Sequence, residues 1–106
     1  MLRRLRSLLP LARYRVAGES MAPALSAGER VLVNRAAYWF RGPRPGDVVV
    51  VRDPLARQRL LVKRIDGPAG RDAWSVLGDN PAASTDSRSF GPLPRELLVG
   101  KVLARY

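Results

Sequence analysis

The apolar residues of this chain fall in short runs, and this spacing is the strongest constraint on its fold. Each run is rich in Val, Leu or Ile and ends near a turn-forming Gly, Pro or Asp, which predicts β-strands rather than helices. The predicted strands are Tyr14–Ala17, Arg30–Asn34, Asp47–Arg52, Leu60–Ile65, Ala73–Leu77 and Leu98–Leu103. Six short strands in 106 residues predict an all-β (mainly β) fold, a small partly open β-barrel or folded sheet.

The first residues differ from the remainder because they are rich in Arg and Leu and contain no acid. We therefore expect a basic N-terminal arm at residues 1–13 and a single domain at residues 14–106. Leu2, Leu5 and Leu9 have near-helical spacing, so the arm is either a mobile or docked segment or a short amphipathic helix in weak contact with a membrane surface. The stub of a missing anchor is a third interpretation, since the apolar stretch is too short to cross a bilayer.

Cys and His are both absent from the sequence. Their absence excludes disulfides, Cys/His zinc sites, cysteine nucleophiles and a Ser-His-Asp triad. Any acid–base chemistry then depends on Asp, Glu, Lys or Tyr. The carboxylates form no suitable cluster in the sequence, so we expect no metal site, and no cofactor is implied for catalysis.

The 19 basic residues outnumber the 9 acidic ones, and only Lys63 and Lys101 are lysines. Such an excess fits nucleic acid, an anionic membrane or an acidic partner, and equally an Arg-rich compositional habit. Tyr38, Trp39 and Phe40 gather in one turn region, whereas base stacking requires aromatic residues spread across a sheet, so we expect no nucleic-acid partner. The few lysines are informative because Arg keeps its proton and cannot act as a general base.

Lys63 is the candidate base in this sequence. On a strand successive side chains alternate between faces, so Lys63 shares an apolar face with Leu61 and Ile65. Burial on such a face lowers the pKa of a lysine and favours the neutral amine. A surface lysine whose stem covers apolar neighbours is the alternative.

Ser20 is the candidate nucleophile, in a turn between Gly18 and Pro23. A turn of this kind can expose the hydroxyl while the backbone N–H of the serine points toward an oxyanion. A serine hydroxyl needs a base to remove its proton, and without His the best candidate is the amine of Lys63. A serine that only shapes or caps the turn is the alternative.

A third segment, at residues 78–91, is a dense run of small polar residues inside a stretch with little periodicity. By itself it is typical of a solvated loop stabilised by Asx turns. Together with the other two segments, however, it resembles the signal peptidase I family of Ser/Lys endopeptidases. The matching segments occur in the family's order: Ser20–Pro23, Gly46–Val50, Lys63–Arg64 and Gly78–Gly91.

The resemblance implies a role for each matched residue. Ser20 would attack the scissile carbonyl to form an acyl-enzyme, and Lys63 would act as general base. Ser84 would hold the lysine amine in position, while Asp86 and Arg88 would brace the loop behind it. The other predicted site residues would shape that loop or the turn that bears the oxyanion hole: Asp79, Asn80, Gly18, Met21 and Pro23.

Gly18 departs from the pattern of some family members, which place a second hydroxyl two residues before the nucleophile. The oxyanion hole would then depend on the Ser20 N–H, with any second donor unidentified. The resemblance covers about residues 16–105, which is nearly the whole predicted domain.

Two further segments, Asp53–Leu55 and Trp74–Pro81, resemble the compact nickel-type superoxide dismutase maturation proteases. That subgroup implies removal of an N-terminal leader from a cytoplasmic precursor, the nickel superoxide dismutase precursor, with the nickel belonging to the substrate. The expected absence of a membrane anchor agrees with this compact subgroup. The alternative is a membrane-associated signal peptidase that cleaves exported proteins, for which the basic arm at residues 1–13 is the support.

Overall fold

The computed structural model describes residues 10–106, whose regular structure is mostly β-strand. The strands are β1 (Leu11–Arg15), β2 (Arg30–Asn34), β3 (Val48–Asp53), β4 (Ala56–Pro68), β5 (Ala73–Leu77), β6 (Leu93–Pro94) and β7 (Leu98–Arg105). One turn of helix, α1 (Ser87–Phe90), and 3-10 turns at Pro81–Ala83 and Arg95–Leu97 complete the described elements. Within this range no helix has the length and apolar character needed to cross a membrane.

The seven strands form one antiparallel sheet in the order β1-β2-β7-β3-β4-β5-β6. β1 and β6 lie at its two edges, so across the described residues the sheet stays open. The predicted all-β fold is therefore confirmed, as one antiparallel sheet that is not closed into a barrel.

β3 is the middle strand of the sheet and is buried on both faces. Val49 and Val51 pack in one hydrophobic cluster with Trp74, while Val50 packs in a second cluster with Met21. The clusters lie on opposite faces because neighbouring side chains of a strand point in opposite directions. A strand covered on both faces is an unbroken apolar run, and this accounts for the consecutive valines of β3.

β2 and β5 have the predicted bounds. In both strands a buried side chain alternates with a less buried one, and this period of two is the clearest strand signal that a sequence offers. The ends of β3 and β7 differ from the prediction by one or two residues.

β1 begins earlier than the sequence predicts, at Leu11–Arg15 instead of Tyr14–Ala17. No residue of this strand is fully buried, and the strand is defined by its backbone pairing with β2 at the edge of the sheet. Residues 11–13 of the predicted arm therefore lie in the sheet. The helix considered for the leucines of residues 1–9 falls outside the described residues.

The polar segment 81–94 contains more structure than the loop that the sequence predicts. Besides one 3-10 turn it holds α1 and the short strand β6, which pairs with the start of β5. A two-residue strand shows no periodicity, so the sequence gives no signal for β6 even though Leu93 is only 1% exposed.

β4 is longer than predicted, at Ala56–Pro68 instead of Leu60–Ile65. Its first half pairs with β3 on one side, whereas β5 pairs with β4 only from Arg64 onward. Among the described residues, the stretch 56–63 therefore has no strand beside its second edge. Backbone hydrogen bonds to β3 extend this hairpin beyond the apolar core, which is why hydrophobicity does not predict its length.

We expect Gly100→Ala to lower the free energy of unfolding by about 1–3 kcal/mol, the usual cost of overpacking. A Cβ at this buried position would lie 2.5 Å from the Asn34 carbonyl oxygen and 2.8 Å from Val33 Cγ1. Urea unfolding followed by circular dichroism measures the loss. Gly67→Ala is the matched control, because a Cβ there has nothing within 4 Å, and equal losses in both variants would contradict this account.

Candidate active site

Lys63 lies on β4 opposite Val49, and only 2% of its surface is exposed. The alternative of a surface lysine therefore does not hold. Its Nζ atom donates a hydrogen bond of 2.9 Å to Ser84 Oγ. A lysine side chain is rarely buried this completely unless a carboxylate contacts it directly. The burial of Lys63 against a hydroxyl group instead disfavours its charged form.

Burial lowers the pKa of Lys63 from its ordinary value, and it is the largest influence on this amine. The carboxylate of Asp86 acts in the opposite direction, whereas the positive charges of Arg88 and Arg59 lower the pKa further. The site thus favours a neutral amine, which can accept a proton.

Ser84 connects the lysine to a buried carboxylate. Its Oγ accepts the hydrogen bond from Lys63 and donates one of 2.8 Å to Asp86 Oδ2. A hydroxyl has a single proton, and here that proton is directed at Asp86. Lys63 must then use one of its own N–H groups toward Ser84, which orients the amine and leaves the lone pair of its neutral form available on another side.

Asp86 is 1% exposed and accepts hydrogen bonds from several directions. Besides Ser84, its carboxylate accepts from the Gly78 N–H at 2.8 Å and from the backbone and guanidinium of Arg88, with Arg88 Nε at 2.9 Å. The Arg88 guanidinium is the main reason that the pKa of Asp86 lies well below its usual range. The bond from the Arg88 N–H also makes Asp86 the N-cap of α1.

Gly78 allows the closing loop to approach the serine turn. A Cβ at this position would meet the side chain of Ser84 and lie 2.8 Å from the Ser20 carbonyl oxygen. Only a residue without a side chain fits between these two groups. The sequence singles out Gly78 as the start of the loop but gives no indication of this contact.

Asn80 attaches the serine turn to the loop through two hydrogen bonds. Its backbone N–H donates to the Ser20 carbonyl at 2.8 Å, and its side-chain Nδ2 donates to the Glu19 carbonyl at 3.1 Å. Asp79 faces away from this contact and forms a bidentate ion pair with Arg64, which lowers the pKa of the Asp79 carboxyl. Asp79 and Asn80 therefore hold the loop on its two sides.

The serine turn itself is anchored by Met21, which is fully buried in the cluster that contains Val50. Gly18 has a φ of +81°, in the region that favours glycine, and this directs the chain from β1 into the turn. Pro23 is exposed and follows a cis peptide bond with Ala22. Ser20 is half-buried at the surface of this turn.

Ser20 and Lys63 both line a cleft of about 370 Å³. In the described part of the chain no hydrogen bond joins Ser20 Oγ to Lys63 Nζ, and such bonds often tighten only when substrate binds. The cleft also contains Arg59 and Thr85, which the sequence analysis did not select, and Asp53, Leu55 and Leu61, which it named without assigning them to the catalytic site. Strand alternation places Leu61 on the face of Lys63, and two residues further back along β4 it could also have indicated Arg59.

The ten predicted site residues thus occupy one region, joined by the contacts of the closing loop. Ser84, Asp86 and Arg88 form a chain of contacts behind Lys63, and the remaining members shape the serine turn or attach it. Residues 10–106 contain no group of His, Cys, Asp and Glu that could hold a metal ion. A hydroxyl and a neutral amine in one cleft can carry out nucleophilic attack assisted by a general base.

Comparison with known proteins shows that residues 5–75 and 70–106 match the family described as signal peptidase, peptidase S26. The mitochondrial ATP-independent inner membrane protease subunit 1a of Arabidopsis thaliana is 38% identical over 112 residues, which covers 85% of this chain and 67% of that protein. Signal peptidase I of Leptolyngbya laminosa is 26% identical over 145 residues, covering 96% and 71%. The mitochondrial inner membrane protease subunit 1 of Schizosaccharomyces pombe is 36% identical over 107 residues, covering 83% and 68%.

We expect Asp86→Asn to lower the free energy of unfolding at neutral pH by about 2 kcal/mol, because the amide loses charge-assisted hydrogen bonds. The native-state pKa of Asp86 is depressed, so its contribution is complete above the unfolded-state pKa of about 3.9 and is lost as the pH falls through the native-state value. The gap between wild type and variant should therefore narrow below pH 4.

Urea unfolding between pH 7 and pH 2 measures this gap. Asp66→Asn is the matched control, since it makes the same change of charge at an exposed position. A gap that stays constant down to the lowest pH would show that the Asp86 charge does not stabilise the fold.

Proposed function

Since this chain belongs to the signal peptidase S26 family and is a serine endopeptidase, we propose that Ser20 is its nucleophile and Lys63 its general base. The observation that carries the proposal is the burial of Lys63, whose amine is held by Ser84 in the cleft that Ser20 also lines. The proximity of Ser20, Lys63 and Ser84 is independent of the motif match, because it depends on side-chain contacts between segments that are distant in the sequence.

In the acylation step, Lys63 Nζ takes the proton of Ser20 Oγ as the oxygen attacks the scissile carbonyl carbon. The resulting ammonium gives that proton to the leaving amine as the peptide bond breaks, which leaves an ester on Ser20. In deacylation the neutral amine takes a proton from water as the water oxygen attacks the ester carbonyl carbon. The resulting ammonium returns that proton to Ser20 Oγ as the bond between Oγ and the acyl carbon breaks, which releases the carboxylic acid. Ser84 holds Nζ in one orientation through these steps, and Asp86 holds Ser84.

The backbone N–H of Ser20 is our candidate for the oxyanion donor. Among the described residues it donates to no other group, so it is available to a developing negative charge. Gly18 brings no hydroxyl to the hole, and its positive φ disfavours a serine at that position. The two bonds from Asn80 engage the Glu19 and Ser20 carbonyls and hold the serine turn against the closing loop.

The unpaired edge of β4 beside the cleft suits an extended polypeptide. Among the described residues no strand pairs with the stretch 56–63 on the side that β5 does not cover, and a substrate strand added there would bring its peptide bonds toward Lys63. The substrate in this proposal is the N-terminal leader of a precursor protein, which is the substrate class that the family's processing activity implies.

For the identity of that precursor we propose nickel superoxide dismutase, in the cytoplasm, on the resemblance carried by Asp53–Leu55 and Trp74–Pro81. Asp53 and Leu55 line the cleft, so this part of the resemblance falls at the substrate site. The alternative is a membrane-associated signal peptidase acting on exported proteins. Its support is the names of the matched relatives, which are an inner membrane protease subunit and a signal peptidase I.

Ser20→Ala and Lys63→Met should each lower kcat for leader cleavage by on the order of 10³-fold or more, because each removes one half of the reacting pair. Lys101→Met is the matched control, since it alters the only other lysine, which pairs with Asp47 on the surface. Peptide cleavage followed by mass spectrometry gives the rates, and thermal unfolding confirms that the variants fold. Wild-type turnover in either dyad variant would refute the assignment.

The specificity constant kcat/KM should rise with pH, because only neutral Lys63 accepts the serine proton. The midpoint of this rise should lie well below the ordinary lysine pKa of 10.5, because burial lowers the pKa of Lys63. Arg59→Glu should move this midpoint to higher pH, since it replaces a positive charge that lowers the same pKa with a negative one. Arg71→Glu provides the same charge change on an exposed residue outside the cleft. Equal midpoints in the wild type and Arg59→Glu would contradict the role of Arg59.

Two peptides distinguish the candidate substrates, one with a nickel superoxide dismutase leader junction and one with the signal junction of an exported protein. Cleavage of the first alone, absent with Ser20→Ala, is the expected result. Cleavage of the second alone would replace it with the membrane-associated alternative. Mass spectrometry of the products also locates the scissile bond.

A further inference from the structure

An exposed arginine, Arg59, lines the same cleft as Ser20 and Lys63. Within residues 10–106 its guanidinium forms no ion pair and no hydrogen bond. The proposed mechanism uses only its charge, which lowers the pKa of Lys63, and leaves its N–H donors unused.

Arginines elsewhere in the fold have carboxylate partners. In the part of the chain that the structure describes, these pairs are Arg64 with Asp79, Arg88 with Asp86, Arg95 with Asp72 and Arg105 with Glu29. Other exposed arginines without a carboxylate, such as Arg57 and Arg71, do not line the cleft. The charge of Arg59 is therefore available to a molecule that enters the cleft.

The pairing of β4 with β3 is irregular where Arg59 lies. Arg52 pairs with Leu60, whereas the next residue of β3, Asp53, pairs with Ala56. Residues 57–59 are therefore additional on β4, and bulges of this kind redirect side chains beside active sites. This irregularity accounts for the position of the Arg59 side chain at the cleft.

Two carboxylates also line the cleft, those of Asp53 and Glu19. Asp53 accepts a 2.8 Å hydrogen bond from the Leu55 N–H, which engages it in the turn between β3 and β4. Glu19 directly precedes Ser20, so it repels a second negative charge placed at the scissile bond. The cleft thus favours an acidic group only within reach of the Arg59 guanidinium.

We propose that Arg59 is a specificity residue, which pairs with an acidic side chain of the substrate about four residues from the scissile bond. The inference rests on the proposed function, because it requires an extended substrate along β4 whose scissile bond lies at Ser20 and Lys63. A guanidinium binds a carboxylate through two parallel N–H bonds, and this geometry selects Asp or Glu over a neutral side chain.

The position of the acidic residue follows from the chain itself. Arg59 precedes Lys63 by four residues, which span at most about 14 Å. A substrate strand beside β4 advances by nearly the same length per residue, and its side chains alternate between pockets and solvent. The preference should therefore be confined to one substrate position.

Arg59 also lowers the pKa of Lys63, and the two roles have different kinetic consequences. A changed pKa of Lys63 affects every substrate in the same proportion, and the effect vanishes at a pH at which the amine is neutral in both enzymes. Pairing with the substrate affects only peptides that carry a charge at the matching position. It is restored when both charges are reversed.

The test is cleavage of a mixture of short synthetic peptides of varied sequence, with the cut bonds identified by mass spectrometry. The full-chain wild type, Arg59→Glu and Arg71→Glu are compared at a pH above the midpoint of each kcat/KM profile, with Ser20→Ala as the blank. Peptides cut by the wild type should be enriched in Asp and Glu at one position, about four residues from the cut bond. Those cut by Arg59→Glu should be enriched in Lys and Arg at that position.

One cleaved peptide is then synthesised with Asp, Asn or Lys at that position. For the wild type we expect kcat/KM to be about fivefold higher with Asp than with Asn, the upper range for a solvent-accessible ion pair, and the ratio to fall with salt. Arg59→Glu should prefer Lys to Asp, and its activity on the Lys peptide also shows that the variant folds. Arg71→Glu is the matched control, since it makes the same charge change outside the cleft and should keep the wild-type preference.

Equal preferences of the wild type and Arg59→Glu at every position would overturn this inference and leave the assignment of Ser20 and Lys63 intact. An acidic preference that persists in Arg59→Glu would also overturn it, by assigning the pairing to another residue. Cleavage that persists in Ser20→Ala, or a wild type that cuts no peptide, would refute the proposed function and this inference with it. The Ser20→Ala blank thus separates a failure of the catalytic proposal from a failure of the specificity proposal.

Discussion

The buried carboxylate of Asp86 is the contact on which the site depends. It caps α1, accepts the Gly78 N–H at the end of β5, and accepts the hydroxyl proton of Ser84. A carboxylate can accept about four hydrogen bonds, and these partners with Arg88 use that capacity. Because its charge is compensated locally, it holds Ser84 in the one orientation in which that hydroxyl accepts a hydrogen bond from Lys63.

Besides the contacts of Asp86, the candidate site requires the burial of Lys63, and the sheet provides it. β3 has apolar neighbours on both faces, and β4 lies beside it, so the side chain opposite Val49 is almost completely buried. Lysine on this face is unfavourable for stability by itself, since desolvation opposes its charge. The same desolvation lowers the pKa of Lys63 and so favours the neutral form of its amine. Burial of Lys63 on β4 therefore lowers the stability of the fold, but it also favours the neutral amine that an acid–base reaction requires.

Much of the fold and the residue types of the site could be predicted from the sequence. β2 and β5 follow from alternation, and the absence of His directs attention to Lys63 as a base. The full length of β4 and the existence of β6 could not be predicted, because both depend on backbone pairing with a neighbouring strand rather than on apolar pattern. The burial of Asp86 could not be predicted either, since its own segment is composed of small polar residues that are typical of a solvated loop.

The sequence by itself determined the all-β class, the strand periods and the short set of residues capable of chemistry, because these depend on local spacing and on which side chains are present. Only the tertiary structure decided the approach of Gly78 to the Ser20 carbonyl, the relay from Lys63 through Ser84 to Asp86, and the position of Arg59 at the cleft. These features depend on contacts between segments that lie far apart in the chain. The distances between these groups are set when hydrophobic side chains pack on the two faces of the sheet. They cannot be predicted from the local sequence.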